Sequence, residues 1–360
     1  MDFGNHIILV AGYDCFRTDI FSFPFEDVCR NRIRRLLKQE CRFATASTKF
    51  TKDYSLKFTL FDVTSGIVRC NEKLNRRRYW RVIQQYTPIS ASNHIKGPSG
   101  QDIFVNNPTG VLSILDIYQY IQEIGINAPQ SIIELSFFTH GWMGGPVLVN
   151  SYDTQPHSDA RDPNDKDGRR FKDFRSPNMT EGQIRAFKNA FHPSGIIWNW
   201  SCANAASCRD LLHQVLPQLP NNKLEKLSDS HEFLLTFSEE RANDYFQVDN
   251  DFFPRPLSLS TRNIEIKKTL GEIKSYLQSR CNAAYSKQIA LASGVKCFGA
   301  LPGTYSSFET GTRLPLLVIT KNNIQSENFV AQIDFYQNYL NMEIDPEGRG
   351  YGAFLPTQRE

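Results

Sequence analysis

No Cys-x-x-Cys pair occurs among the eight cysteines of this 360-residue chain. Cys15, Cys29, Cys41, Cys70, Cys202, Cys208, Cys281 and Cys297 are scattered, which excludes a zinc knuckle or a thioredoxin-like redox motif. A chain of this length buries a core without disulfides, so the cysteines read as mostly reduced and buried. No run approaches 18 apolar residues, and no membrane span is expected. An excess of one charge is missing as well: 41 basic residues against 38 acidic leave a net charge of +3, too little to argue for a nucleic-acid partner. The basic clusters Arg30 to Lys38 and Arg76 to Arg81 read as solvated faces. The acidic stretch Asp159 to Asp173 fails as a calcium loop. With Gly168 at the sixth position, Pro163 falls at the first and Phe174 at the twelfth. No metal and no cofactor is implied. The amino terminus enters an apolar run, His6 to Gly12, without the basic stretch or cleavage site of a secretory leader. A cytoplasmic location is therefore expected, with signal-independent export left open.

Aromatic residues are plentiful, with 26 Phe and 14 Tyr, and apolar runs alternate with helical stretches along the chain. That alternation predicts an α/β fold, a three-layer α/β/α sandwich with a mainly parallel central sheet. Strands are expected at residues 6–12, 41–47, 56–61, 66–70, 131–138, 195–202, 231–237, 295–299 and 314–320. Helices are expected near residues 26–39, 109–124 (stopped by Gly125), 180–191 (with Thr180 as N-cap), 203–215, 264–292 and 327–340. Residues 90–109 read as loop. The polar segment 151–178 reads as a surface insertion or lid within a core of residues 1–240. Residues 241–360 form an extension expected to pack on the same sheet.

Two of the predicted strands end in residues that do chemistry. Residues 131–138 are almost continuously apolar, as in a strand buried on both faces, and run into Thr139-His140-Gly141. Residues 195–202 end in Trp200-Ser201-Cys202. Ligands of open α/β sheets bind beyond the carboxyl ends of the strands. A thiol reacts as thiolate, and an imidazole neighbour takes its proton. The 62 residues between His140 and Cys202 leave room for one crossover helix between parallel neighbours. Gly141 lets a substrate approach the backbone and offers an N–H to an oxyanion. Cys202, expected at a helix start, offers a second.

A strand ending in His-Gly followed by one ending in a small residue and Cys resembles the caspase-like cysteine peptidases, over about residues 5–240. The resemblance implies a caspase-like sandwich, His140 as general base or acid, Cys202 as nucleophile and the Gly141 N–H as oxyanion donor. It also implies a protein or peptide substrate. Asp14 and Arg17, after the first strand, stand where that family often places a specificity residue. Trp142 and Ser201, flanking the dyad, complete the expected substrate contacts. Two other readings stay open. In an α/β-hydrolase esterase, Thr139-His140-Gly141-Trp142 would be the oxyanion loop, but the Gly-x-Ser-x-Gly elbow fails around both Ser201 and Cys202. In a catalytically inactive caspase-like binding domain, Cys202 would be buried.

Overall fold

Ile7, Leu9 and Ala11 enter one apolar cluster while Ile8 and Val10 enter another, so the first strand is covered on both faces. The computed structural model describes residues 5–13, 24–46, 56–74, 77–89, 94–96, 102–104, 110–148, 173–176, 178–203, 205–220, 227–249, 251–253, 263–304, 307–308, 317–318 and 327–357. That first strand, β1 (His6–Ala11), lies inside an eight-stranded sheet. The others are β2 (Lys57–Asp62), β3 (Ile67–Leu74), β4 (Arg77–Gln85), β5 (Ile132–Phe138), β6 (Phe191–Asn199), β7 (Lys296–Gly299) and β8 (Gly352–Phe354). Their order is β8-β7-β6-β5-β1-β2-β3-β4. From β7 to β2 every neighbouring pair is parallel, and β8, β3 and β4 are antiparallel additions at the two edges. Strands from beyond residue 240 thus extend the same sheet as those before it.

Helices cover both faces. Helix α1 (Phe25–Ala46) places Phe25, Val28, Cys29 and Ile33 on one. The other carries α2 (Ile114–Asn127), α3 (Glu181–Asn189), α4 (Ala206–Val215), α6 (Leu270–Ala283) and α7 (Tyr285–Ser293), with α5 (Glu239–Val248) beside a hairpin. Helix α8 (Glu327–Tyr339) adds Phe335 and Tyr336 to that side. Capping boxes start α2 at Ser113 and Asp116, α3 at Thr180 and Gln183, and α6 at Thr269 and Glu272. Among the described residues, no helix is long and apolar enough to cross a membrane.

Several local expectations are corrected. Residues 41–46 are the last turns of α1, because no Gly or Pro interrupts the chain from Phe25 to Ala46. Gly125 does not end α2, which runs to Asn127. A side chain at 125 would meet the Ala186 carbonyl oxygen at 1.8 Å, so this glycine lets α2 and α3 approach closely. Residues 263–269 form a strand paired antiparallel with Glu232–Ser238. Ile264 and Ile266 carry the period of two, and the helix starts only after its cap at Thr269. The 90–109 loop contains a short hairpin, His94–Lys96 with Asp102–Phe104.

Between α1 and the sheet lies a buried ion pair. Arg32 of α1 grips Glu134 of β5 with two hydrogen bonds of 2.9 Å, and both side chains are about 95% buried. The third guanidinium nitrogen reaches Glu347 at 2.7 Å. Burial opposes the Arg32 charge, yet Glu134 and Glu347 hold its pKa above the ordinary value. Arg32→Met leaves the buried Glu134 carboxylate without its cation and should cost about 3–5 kcal/mol, read by urea unfolding. A loss under about 1 kcal/mol would show that the pair does not organise the core.

His6 is buried at the start of β1, with Nε2 2.8 Å from Thr59 Oγ1, near Lys57, Glu72 and Tyr120. Burial first, then Lys57, pushes its pKa down to about 3. The folded state therefore keeps His6 neutral while the unfolded chain protonates it below about pH 6.5. Stability is complete above that pH and falls by about 1.4 kcal/mol per unit toward pH 3. In His6→Gln the loss of stability between pH 7 and 5 should shrink by about 2 kcal/mol. An unchanged difference would assign the acid sensitivity to other groups.

Candidate functional site

The parallel ladder between β5 and β6 sets the level at which the two strands end. Glu134 faces Ile196 and Phe137 faces Asn199, an offset of 199 − 137 = 62. The Trp200 N–H continues the ladder to the Phe137 carbonyl at 3.0 Å. His140 and Cys202 share that offset, 202 − 140 = 62, so they follow adjacent strands at one level. Strand β1 ends alongside, with Gly12 N–H on the Phe138 carbonyl at 3.0 Å. A side chain at Gly12 would meet Thr139 Cγ2 at 2.7 Å.

Beyond that level the chain turns back. His140–Trp142 pairs antiparallel with Gly145–Val147 in a tight hairpin. Its far end is tied to the end of β1 by Tyr13 N–H to the Leu148 carbonyl, 2.7 Å. Its tip is tied to the start of α7 by Tyr285 N–H to the Met143 carbonyl, 2.9 Å. The His140 ring stands edge-on to Phe25, the first residue of α1, at 5.2 Å between centroids. Thr139 Oγ1 donates to the His140 carbonyl at 2.7 Å.

Gly141 is pressed against the Cys202 strand. A Cβ there would fall 2.5 Å from both Cβ and Oγ of Ser201 and 2.8 Å from the Gly145 carbonyl oxygen. Ser201 is buried, and its hydroxyl donates to Asn199 Oδ1 at 2.6 Å. Asn199 in turn donates to Ser286 Oγ of α7 at 3.2 Å. Ser201, expected as a substrate contact, therefore forms the floor on which Gly141 rests. After Cys202 the chain is held by Ala203 N–H to the Thr304 carbonyl, 3.0 Å, and Gly303 N–H to the Ala203 carbonyl, 2.8 Å. The loop after β7 thus braces the cysteine segment.

The helix expected to begin at Ala203 begins at Ala206, four positions beyond Cys202. Ser201 to Ala203 are not helical, and Ala203 is held on residues 303–304. The helix dipole, which acts within the first turn, therefore does not bear on the Cys202 N–H. Trp142 lies at the hairpin and is 42% exposed. Asp14 and Arg17 lie outside the described residues.

Cys202 is partly exposed, whereas Cys29, Cys70, Cys208, Cys281 and Cys297 are buried. Burial pushes the Cys208 thiol up to about 11 and the Cys297 thiol up to about 12, and raises Cys29 and Cys70. Those thiols stay protonated and poorly reactive. Among the described residues, no cluster of three or more His, Cys, Asp or Glu side chains is placed to hold a metal. Phe25, Asn199 and Ser286 escape sequence reasoning. Only the alternation of polar Asn199 and Ser201 with Trp198 and Trp200 hinted that one face of β6 is polar.

The chain matches no protein-family pattern, no curated protein and no solved structure.

Gly141→Ala should cost about 1–3 kcal/mol, the range for overpacking a tight contact. Adding Ser201→Gly removes the nearest clash and should recover part of that loss in thermal unfolding. No recovery in the double variant would show that Gly145, not Ser201, sets the spacing.

Proposed function

We propose that the protein is a cysteine peptidase of caspase-like build, with Cys202 as nucleophile and His140 as its proton acceptor. The observation that carries this reading is the shared 62-residue offset, which ends the adjacent parallel strands leading to His140 and to the partly exposed Cys202 at one level. The order β2-β1-β5-β6-β7, with the histidine after β5 and the cysteine after β6, supports a caspase-like sandwich. The nucleophile-elbow reading loses ground, because Ser201 is buried and the chain does not turn directly into a helix.

In this reading the Cys202 thiol gives its proton to His140 and the sulfur attacks the carbonyl carbon of a peptide bond. The oxyanion accepts hydrogen bonds from the backbone N–H of Gly141 and Cys202. Collapse of that intermediate expels the amine, which takes the proton from His140. Water, deprotonated by the same imidazole, then hydrolyses the thioester. Trp142 offers an exposed aromatic surface for the substrate, and Asp14 and Arg17 are the proposed selectors of the side chain at the cleavage site. The substrate is a protein or peptide met in the cytoplasm.

Iodoacetamide at neutral pH should label Cys202 before any buried cysteine, and His140→Ala should slow peptide cleavage on the order of 10²-fold. His213→Ala and His231→Ala should leave the rate unchanged. Activity that survives Cys202→Ala but not Ser201→Ala would sink the proposal in favour of an esterase-type site. Preserved folding with no labelling of Cys202 would favour an inactive binding domain.

A further inference from the structure

A cavity of about 360 Å³ opens where α2 and α3 begin, at the same end of the sheet as His140 and Cys202. It lies in the helical layer across the sheet from Phe25 and α1. Its volume suits a small organic molecule. Tyr86, Ser113, Asp116, Gln119, Gln122 and Asn178 are among the residues that line it, and among the described residues no Lys, Arg or His does.

The wall is polar, and Asp116 is the one charged side chain among its described residues. Asp116 Oδ2 accepts the Ser113 N–H at 2.7 Å as part of the α2 cap, and the carboxylate has no salt bridge. Burial raises its pKa, while the Ser113 N–H partly offsets that shift. Burial and then the Asp116 charge push Tyr86 up to about 12, so the tyrosine stays neutral beside the carboxylate. Gln119 donates one amide hydrogen to Glu123 at 3.2 Å, which turns its amide nitrogen toward that carboxylate. Gln122 is 7% exposed, lines the cavity and has no side-chain hydrogen-bond partner. It lies beyond the capping box and has no part in starting the helix. Both polar atoms of the Asn178 amide are also buried without a partner. The Asp116 carboxylate disfavours an anion there, and a cation relieves the desolvation penalty of the carboxylate and of the unpartnered amide oxygens.

We infer that this cavity binds an organic cation, an alkylammonium or alkylguanidinium group, held by the Asp116 carboxylate and the carbonyl oxygens of Gln119 and Gln122. This site does not depend on the Cys202–His140 reading, so binding is measured on full-length Cys202→Ala protein, where turnover is removed. Saturation-transfer NMR with butylguanidine and butylamine should show binding, and butanol at the same concentration should not. Asp116→Asn, which keeps a capping oxygen, should weaken both cations at least tenfold, and Gln122→Leu at least threefold. Gln122→Glu should tighten them, which keeps the test decisive if Asp116→Asn folds poorly. A short blocked peptide with one central arginine identifies the source. Binding as tight as that of butylguanidine assigns the site to a basic side chain of a polypeptide, and weaker binding assigns it to a free amine. Equal binding of butanol, indifference to Asp116→Asn and Gln122→Glu, or no binding of either cation at millimolar concentration would overturn the assignment and leave Asp116 as a helix cap only.

Discussion

Arg32 and Glu134 meet where water hardly reaches, and neither could be buried alone without a large desolvation penalty. Their planar groups face each other with two parallel hydrogen bonds, the geometry in which arginine binds carboxylate most strongly. The pair draws in its surroundings. Ser136 donates to Glu134 at 2.7 Å, and Trp200 Nε1 donates to Ser136 at 3.3 Å. The guanidinium also lies 5.7 Å from the ring centroids of Trp198 and Trp200, which stack on each other. One charge on α1 therefore organises β5, which leads to His140, and β6, which leads to Cys202. Glu347, bridging Arg32 and Arg349, fastens the C-terminal segment to the same group.

The consequence at the carboxyl end of the sheet is a matter of registration. A parallel ladder has no turn to set its offset, so the offset must come from side chains that fit in one position only. Glu134 under Arg32 and Trp200 stacked on Phe138 supply two such positions, one in mid-strand and one at its end. A shift of one residue would turn Glu134 into the opposite layer, among the apolar side chains of α2 and α3. The level shared by His140 and Cys202 thus rests on contacts made several residues earlier.

Much of the sheet and of the candidate site was legible in the chain because the signals were local. The continuous apolar runs before His140 and Cys202 mark strands covered on both faces, and Thr180 three residues before Gln183 marks a helix start. What stayed illegible depends on partners distant in sequence. Nothing near Arg32 shows that it is buried, since the surrounding basic cluster reads as a solvated face; its carboxylates lie 102 and 315 residues away. Gly125 looks like a helix stop until the Ala186 carbonyl is found against it. Ile264 and Ile266 fit either period until the strand at 232–238 supplies a partner. Ser201 appears open to substrate until Gly141 is seen resting on it.

The late start of α4 changes how the proposed chemistry must be achieved. With the helix four residues away, its dipole gives the Cys202 sulfur little help, so the proposed mechanism rests its proton transfer on the imidazole and on where that ring sits. That position is over-determined. The His140 hairpin is pinned to β1 through Tyr13, to α7 through Met143 and to β6 through Gly141, and the ring leans on Phe25. The cysteine segment, braced by residues 303–304, is fixed from the opposite side by a different part of the chain. Two separately anchored loops, levelled by one ladder, carry His140 and Cys202. Rigid backbone placement of this kind is what nucleophilic catalysis requires when the activating group is a single neighbour.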